Sequence, residues 1–304
     1  MRTPVIPYCL EGLSMRLLCD ATATPLGARV AAALCLRPVV RTIQTFPDGE
    51  TYIALQESLQ DEDVFVLSST VATEWIPLFL LLDALTRAQP RRVFLCFSYC
   101  GYSRQERPKD STSCVSLARL ATLLGTFPIN KIFFIDLHNP KSTSLFPVPC
   151  CCVSSSPIFY QYMKENACFP DLLVAPDKGA TLRTQQLATL CARPWVALDK
   201  RMPLSSLVSS LQGKADGQSC AIVDDLIDSG RTLCHAGAAL VRGGAREVSA
   251  FVTHDLRRGD GTVLLEKFLK RLIVTDTLPL REGESFVQQV TVAPVVVEVM
   301  KGLG

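Results

Sequence analysis

Short apolar runs alternate with amphipathic stretches along most of the chain. In chain order, the pattern predicts strand 62–70, helix 75–87, strand 91–97, strand 131–136, strand 172–177, strand 219–225, helix 232–242 and strand 246–252. The second helix ends at Gly243-Gly244, where glycine adopts the left-handed conformation of a helix C-cap. Apolar strands separated by helices predict an α/β fold, with a mainly parallel sheet flanked by helices.

The two halves of the chain follow the same plan. The strand at 246–252 lies about 155 positions after the strand at 91–97, roughly half the chain length. We therefore predict two tandem domains, 1–153 and 154–304, which meet in the Cys/Ser/Pro-rich stretch at 153–156. The alternative is a coincidence between two generic strand–helix–strand units.

Composition excludes several classes of protein. The chain is 48% hydrophobic and 20% charged, which is ordinary for a globular protein and excludes collagen-like and disordered classes. A net charge of +2, with Lys and Arg spread along the chain, gives no footprint for duplex nucleic acid. The longest apolar run, 76–82, ends at Asp83 and is far shorter than the ~20 residues of a membrane span.

The thirteen cysteines do not form a recognisable framework. Their number is odd, no Cys-x-x-Cys pair occurs, and the opening residues do not predict a secretory signal. The run 150–152 places three thiols in succession, a poor arrangement for one zinc ion. We expect reduced, mostly buried thiols in an intracellular protein.

The segment Val223–Thr232 is the strongest local signal for chemistry. An apolar strand delivers Asp224 and Asp225 to its carboxyl end, and a turn containing Ser229, Gly230 and Thr232 then opens a helix. Backbone N–H groups at such a helix start bind anions, and glycine lets a phosphate approach the backbone closely. Paired carboxylates accept hydrogen bonds from sugar hydroxyls.

The segment 223–232 therefore predicts a sugar-phosphate site. The alternative is an acidic strand end followed by an ordinary Ser/Thr helix cap. We expect Asp225 and Asp228 to lie at a solvent-reachable strand end, outside the core.

This segment and five further blocks follow the order of motifs in a known enzyme family. The blocks are Phe46–Glu50, Tyr99–Arg107, Asp136–His138, Pro176–Ala180, Asp199–Arg201 and 223–232. Together they resemble the ribose-phosphate pyrophosphokinase family, also called phosphoribosyl pyrophosphate synthetases, of the type I phosphoribosyltransferase fold. The resemblance implies two phosphoribosyltransferase-like domains, and an enzyme that transfers the pyrophosphoryl group of Mg-ATP to the 1-hydroxyl of ribose 5-phosphate.

The resemblance also assigns roles to residues. It implies ATP binding by Phe46, Asp48, Gly49, Glu50, Arg104 and Gln105; ribose 5-phosphate binding by Asp224, Asp225, Asp228, Ser229, Gly230, Arg231 and Thr232; a pyrophosphate loop at Asp177, Lys178, Gly179 and Ala180; Mg²⁺ contact by His138 and Asp177; and catalytic cations at Lys200 and Arg201.

Residues alone leave two of these roles open. Charges at 104–107 are also typical of a solvated surface run. Imidazole is an unusual Mg²⁺ ligand, so by itself His138 is better explained as a packed or hydrogen-bonded histidine. The resemblance decides both in favour of the functional role.

One departure from the family pattern concerns the catalytic cations. The family carries Lys-x-Arg where this chain has Lys200, Arg201 and Met202, followed by a stretch at 203–217 that reads as a loop. Met202 favours a first alternative, a non-catalytic relative that regulates an active subunit. A second alternative is a phosphoribosyltransferase, which consumes the product instead of making it, but such enzymes usually have one domain and lack the Phe46–Glu50 block.

The resemblance carries expectations about assembly and place. It implies a homo-oligomer built from dimers that share ATP sites, with a hexamer as one form. It also implies a cytoplasmic enzyme of nucleotide biosynthesis, with ATP and ribose 5-phosphate as its small-molecule partners and no nucleic-acid or membrane partner.

Overall fold

The computed structural model describes residues 15–199, 201–211, 213–257, 261–280 and 286–303. The chain divides into two compact units. The first unit comprises 1–153 together with 293–304, and the second comprises 154–292.

The first unit combines parallel strands with helices and one hairpin. Its elements are β1 (Met15–Cys19), α1 (Thr24–Leu34), β2 (Arg41–Thr45), β3 (Thr51–Leu55), β4 (Asp63–Thr70), α2 (Trp75–Arg87), β5 (Arg92–Cys100), α3 (Ser116–Leu124), β6 (Lys131–Ile135), a 3-10 helix (Pro140–Leu145), β7 (Cys150–Val153) and α9 (Ala293–Lys301). The parallel sheet has the order β1-β4-β5-β6-β7, and β2 and β3 form a separate antiparallel pair.

Periodic apolar side chains attach the helices to this sheet. In α2, Leu78, Leu81, Leu82 and Leu85 recur at helical spacing and are buried in one cluster with Val66 of β4. The bounds of α2 coincide with the predicted helix 75–87, which is confirmed. Helix α1 packs on β1, and α9 packs on α1.

The second unit follows the same architecture. Its elements are α4 (Ser156–Glu165), β8 (Leu172–Ala175), a 3-10 helix (Lys178–Ala180), α5 (Thr181–Cys191), β9 (Trp195–Ala197), α6 (Leu204–Leu211), β10 (Ser219–Ile227), α7 (Arg231–Arg242), β11 (Glu247–Asp255), α8 (Gly261–Glu266), β12 (Arg271–Thr275) and β13 (Val287–Val290). These strands form one parallel sheet in the order β13-β12-β11-β10-β8-β9.

Strand β10 lies inside this sheet and carries apolar side chains on both faces. Cys220 and Ile222 belong to the cluster under α6 and α7, whereas Ala221 and Val223 belong to the cluster under α4 and α5. Because successive side chains of a strand point to opposite faces, a strand covered on both faces reads as one continuous apolar run. The predicted α/β fold with parallel sheets flanked by helices is confirmed.

The two units share one strand order. In the second unit, β8 is the first strand along the chain and β9 is the second. Strand β9 pairs with β8 at the edge of the sheet, on the side away from β10. In the first unit an isolated parallel bridge joins Pro38 to Leu17 of β1 at the corresponding place. The remaining strands follow in chain order in both sheets. This common order supports an internal duplication.

Two sequence-based predictions about elements need correction. The segment 293–304 was expected in the second domain but belongs to the first unit, because α9 packs against α1. The stretch 203–217 was expected to be a loop but contains α6, because Leu204, Leu207 and Leu211 recur at helical spacing and the last two bury beside α7.

The cysteines are less buried than the sequence predicted. Among the described residues, Cys19, Cys96, Cys100, Cys191 and Cys220 are buried, and the remaining thiols are half-buried or exposed. The run 150–152 forms β7 at the edge of its sheet, which leaves these side chains partly in solvent. The helices of the described part of the chain are all too short or too polar to cross a membrane.

Candidate active site

The carboxyl end of β10 carries the pair of acids singled out by the sequence. Asp225 is buried, with a side chain only 4% exposed, and Asp224 is nearly as enclosed. The expectation that Asp225 lies in solvent is therefore wrong. Asp228, beyond the end of the strand, is exposed as predicted.

Arg183 is the counter-charge that makes this burial tolerable. It lies in the first turn of α5, and its Nη1 donates to Oδ1 of Asp225 at 2.5 Å and to Oδ1 of Asp224 at 3.3 Å. A buried carboxylate without a partner is strongly disfavoured, whereas an arginine contact restores much of the lost hydration. Asp225 therefore serves as an anchor of the candidate site.

The pKa of Asp224 is raised well above its usual range. Burial is the largest cause because it disfavours the charged form. The neighbouring charge of Asp225 raises it further, Arg183 opposes the shift, and Asp177 adds a smaller repulsion. The loop after β8 contacts β10, the strand that carries the acid pair.

Hydrogen bonds to the side chain of its first residue hold the loop Asp177–Ala180 together. Oδ1 of Asp177 accepts hydrogen bonds from the backbone N–H groups of Gly179, at 2.8 Å, and Ala180, at 3.3 Å. The resemblance implies that this loop binds a pyrophosphate group, for which backbone amides are natural donors. Two of them are engaged by Asp177 in this structure, because an aspartate at the N-cap of a 3-10 turn satisfies the nearest donors.

The turn at 228–232 has the conformation expected of a phosphate-binding turn. Gly230 is the N-cap of α7 with φ +74°, a left-handed value that L side chains rarely adopt, so glycine is required there. Ser229 and Arg231 are exposed, and Thr232 is half-buried. The first N–H groups of α7 have no intrahelical partner, so this helix start offers the kind of donors that anions bind.

Strand β9 brings a third loop to the same edge of the sheet. Asp199 follows β9, and its Oδ1 accepts from the backbone N–H of Arg201 at 3.1 Å. Its Oδ2 lies 3.6 Å from the ammonium of Lys178. Arg201 and Met202 are exposed. Lys200, the first proposed catalytic cation, lies outside the described residues.

In the first unit, the block Phe46–Glu50 is the tight turn of the β2–β3 hairpin. The backbone N–H of Phe46 donates to the carbonyl of Glu50, and Gly49 adopts φ +92°. Oδ1 of Asp48 accepts from the backbone N–H of Glu50 at 3.1 Å. Phe46 is 41% exposed, so its ring is available for stacking.

The other candidate residues of the first unit follow β5 and β6. Arg104 is exposed, and the side-chain oxygen of Gln105 accepts from the hydroxyl of Ser116 at 2.7 Å. His138 is half-buried, just before Asn139 caps the 3-10 helix Pro140–Leu145. All three therefore lie beyond the carboxyl ends of parallel strands, where ligands of α/β sheets bind.

Comparison with known proteins identifies the relatives of this chain. The family model of the N-terminal domain of ribose phosphate pyrophosphokinase matches residues 15–127, and the phosphoribosyl transferase domain model matches 158–276. The ribose-phosphate pyrophosphokinase of Granulibacter bethesdensis is 31% identical over 297 residues, which cover 94% of this chain and 96% of that protein. The chain belongs to the ribose-phosphate pyrophosphokinase family.

Other members of the family also match this chain over most of its length. The ribose-phosphate pyrophosphokinases of Ralstonia nicotianae and Bacillus caldolyticus are 32% and 31% identical, over 83% and 84% of this chain and of each relative. Phosphoribosylpyrophosphate synthetase from Mycobacterium smegmatis has a similar crystal structure, with TM-score 0.86 and 24% identity over 95% of this chain and 98% of that one. At that identity the crystal structure supports the fold.

The first unit of this pyrophosphokinase-family chain has an aspartate at the position that corresponds to Asp177 of the second unit. Asp20 follows β1 as Asp177 follows β8, but it is buried and accepts from Ser68 Oγ, Ser69 N and Ala23 N at 2.6–2.8 Å. Burial raises the pKa of Asp20 to about 6. Strand β4 ends in hydroxyl residues where β10 carries its acid pair, so the acid pair occurs in the second unit and has no counterpart at the end of β4.

The donor set of the second unit fits a magnesium ion bound together with substrate. Within the described ranges, no group of three His, Cys, Asp or Glu side chains is placed to hold an ion alone. Mg²⁺ in phosphoryl-transfer sites is usually held by one or two carboxylates and by substrate phosphates. The half-buried carboxylate of Asp177 suits that mode.

Sequence reasoning missed Arg183. Two adjacent carboxylates at the end of a buried strand require a counter-charge, and the sequence motifs included none for them. The signal was present, because Arg183 is the first basic residue of the helix that follows the loop.

Proposed function

We propose that this chain transfers the β,γ-pyrophosphoryl group of ATP to the 1-hydroxyl of ribose 5-phosphate, giving phosphoribosyl pyrophosphate and AMP. One observation carries the proposal: the loops after β8, β9 and β10 lie at the carboxyl edge of one sheet, where the loop 177–180, the acid pair and the glycine turn at 228–232 follow neighbouring strands. Membership of the pyrophosphokinase family supports the same reaction.

Ribose 5-phosphate is bound by the β10–α7 connection in this proposal. The 5-phosphate accepts from the first N–H groups of α7 and from the hydroxyls of Ser229 and Thr232. The ribose hydroxyls donate to carboxylate oxygens of Asp224 and Asp228, while Arg183 holds Asp225 in place. Arg231, exposed at the helix start, adds a cation for the phosphate.

The transfer step is an in-line displacement at the β-phosphorus. The 1-hydroxyl oxygen forms a bond to Pβ, and the bond from Pβ to the oxygen bridging it to Pα breaks. That oxygen leaves with the electron pair as part of AMP, and the hydroxyl proton passes to solvent. Lys200 and Arg201 are proposed to stabilise the negative charge that develops on the leaving oxygen.

Mg²⁺ is the proposed cofactor, and when bound it neutralises charge on the β- and γ-phosphate oxygens. Asp177 supplies a carboxylate for it, and His138 is proposed as a ligand on the resemblance alone. Phe46, Asp48, Gly49, Glu50, Arg104 and Gln105 are proposed to hold the adenine nucleotide. The aromatic ring of Phe46 and the guanidinium of Arg104 are suited to a base and to phosphates respectively.

A homo-oligomer in the cytoplasm is the proposed state of the enzyme. The β2–β3 hairpin exposes Val40, Ile43, Phe46 and Tyr52, a concentration of apolar side chains that suits a subunit contact. Light scattering of the purified chain tests the assembly, and a monomer at micromolar concentration would contradict it. The buried thiols of the described residues suit a reducing compartment.

A second candidate function is favoured by Met202. Its exposed thioether replaces a cation at the end of the catalytic segment, which suits a regulatory relative that binds substrates without turnover. Release of AMP by the purified chain, measured with ATP, Mg²⁺ and ribose 5-phosphate, separates the two. Steady AMP release supports the synthetase, whereas its absence in a chain that still binds ribose 5-phosphate supports the regulatory relative.

A further inference from the structure

A cavity of about 280 Å³ lies at the amino edge of the second unit's sheet. The first residues of β10, β11 and β12, which are Ser219, Glu247 and Arg271, line it, and the segment 166–170 between α4 and β8 lies at its side. The acid pair lies at the other end of β10, about 20 Å from Ser219 at the rise of a β-strand. The cavity is therefore separate from the candidate active site.

Small side chains in its floor explain why the cavity forms. Ala221 of β10 and Ser249 of β11 are paired residues of neighbouring strands, and both line the cavity. Farther along the same face of the sheet, Phe251 and Ile273 are paired and belong to the core under α4 and α5. This face is therefore filled by large side chains in its middle and hollow at its amino edge.

The lining of the cavity carries an excess of positive charge. Arg246 and Arg271 both line it. Arg246 lies 3.3 Å from Asp171 with a side chain that is 63% exposed, and such an ion pair contributes little stability, so it yields to a competing anion. Glu247, a carboxylate of the lining, is already paired with Lys270.

Arg271 gives the stronger indication of a ligand. Among the described residues no carboxylate lies within 4 Å of its half-buried guanidinium, and its buried Nε has no hydrogen-bond partner there. The hydroxyl of Tyr162 and the thiol of Cys168 lie beside it, and burial raises the pKa of both groups, so both stay neutral at pH 7. A partly buried guanidinium without a counter-charge is disfavoured, and an anion in the cavity would supply that charge.

We propose that this cavity binds a phosphate group between the guanidinium groups of Arg246 and Arg271. The planar forks of arginine match the oxygens of a phosphate, and a phosphate supplies the negative charge that Arg271 lacks. Ser249 is paired with Arg271 in the sheet, so its hydroxyl lies on the same face and adds a donor. The shared chemistry is a phosphate dianion, either free or as a small monoester. This site goes beyond the proposed function and does not depend on it.

Cys168 provides a local readout of the cavity. Its thiol is half-buried and lines the cavity, whereas Cys35 is exposed at the end of α1 in the first unit. The full chain is alkylated with iodoacetamide while inorganic phosphate is titrated against chloride at constant ionic strength. Peptide mass spectrometry then gives the alkylation rate of each thiol, and a second titration uses glycerol phosphate as the monoester.

Phosphate should protect Cys168 and leave Cys35 unchanged. At ten times the dissociation constant about a tenth of the cavities are unoccupied, so alkylation of Cys168 should slow about tenfold. Each protein is compared with itself with and without phosphate, because Arg271 also influences the pKa of the Cys168 thiol.

Two substitutions locate the anion. Arg271→Met and Arg246→Met should each raise the phosphate concentration for half-protection about tenfold, the scale of one charge-assisted hydrogen bond. Arg246 is mostly exposed, so its variant keeps the test valid even if Arg271→Met does not fold. Arg242→Met, at an exposed position of α7, is the matched control and should leave protection unchanged.

Equal alkylation of wild-type Cys168 in phosphate and in chloride would overturn the proposal. Wild-type protection in both arginine variants would overturn it as well, because the protecting anion would then bind elsewhere. Protection by glycerol phosphate at lower concentrations than phosphate identifies a monoester as the occupant, and the reverse order identifies the free ion; both orders support the site. The readout needs no turnover, so a chain that releases no AMP contradicts the proposed function and leaves this test intact.

Discussion

The guanidinium of Arg183 lies 2.5 Å from a carboxylate oxygen of Asp225, and both side chains are largely enclosed. Helix α5 supplies the arginine and strand β10 supplies the acid, so the contact fastens the helix after the anion loop to the strand that carries the acid pair. Breaking a buried pair by removing one partner costs more than the pair itself contributes, because a charge is left uncompensated.

Replacing Arg183 should reveal this double role. Arg183→Met removes a cation that contacts two adjacent carboxylates, and we expect a loss of about 3 kcal/mol in the free energy of unfolding. The KM for ribose 5-phosphate should also rise about tenfold, because Asp224 loses the contact that orients it. Urea denaturation and steady-state kinetics measure the two effects, with Arg242→Met at an exposed position of α7 as control. Unchanged stability in Arg183→Met would show that the acids are held by other contacts.

Asp225 and Asp228 should respond differently to substitution. Asp225→Ala removes the shorter of the two carboxylate contacts of the buried Arg183 and should lower the free energy of unfolding by about 3 kcal/mol. Asp228→Ala, at an exposed position, should leave unfolding within about 0.5 kcal/mol of wild type while it weakens ribose 5-phosphate binding. Equal stability losses in both variants would contradict the division of these acids into anchor and ligand.

Met202→Arg restores the cation pattern of the family. Met202 is 42% exposed, so the longer side chain has room, and we expect turnover equal to or above that of wild type. Lys200→Ala is the control that should lower kcat by ~10², the scale for losing one electrostatic donor. AMP release under saturating substrates measures both. A steep fall in kcat for Met202→Arg would show that this segment is arranged differently from that of the family.

Stability at low pH should depend on Asp63 in the first unit. Arg91 and Arg92 both donate to its buried carboxylate, which holds the pKa of Asp63 well below its usual range. A carboxyl group whose pKa is lower in the folded than in the unfolded state stabilises the protein at pH values above its unfolded-state pKa of ~3.9. This stabilisation is lost as the pH falls below the unfolded-state pKa toward the folded-state pKa. Between pH 5 and pH 3, Asp63→Asn should therefore lose less stability than wild type. Urea denaturation at each pH measures the free energy of unfolding. Equal losses in the two proteins between pH 5 and pH 3 would contradict this role of Asp63.

The sequence predicted the interior strands of the two sheets, because these strands are covered on both faces. Strands such as β10 then appear as continuous apolar runs, and α2 carries leucines at regular helical spacing. The placement of α9 in the first unit depends on its contact with α1, which no local pattern encodes. The burial of Asp225 was missed for the same reason, because its counter-charge, Arg183, is 42 positions away in the sequence.

The central claim is transfer of a pyrophosphoryl group to the sugar oxygen, and isotope labelling tests it most directly. Freshly prepared ribose 5-phosphate labelled with oxygen-18 at the 1-hydroxyl is incubated with ATP, Mg²⁺ and the purified chain, and the products are analysed by mass spectrometry. Attack of that oxygen on Pβ predicts labelled phosphoribosyl pyrophosphate and unlabelled AMP in equal amounts. Label in AMP, unlabelled phosphoribosyl pyrophosphate, or no product in the presence of both substrates would contradict the account.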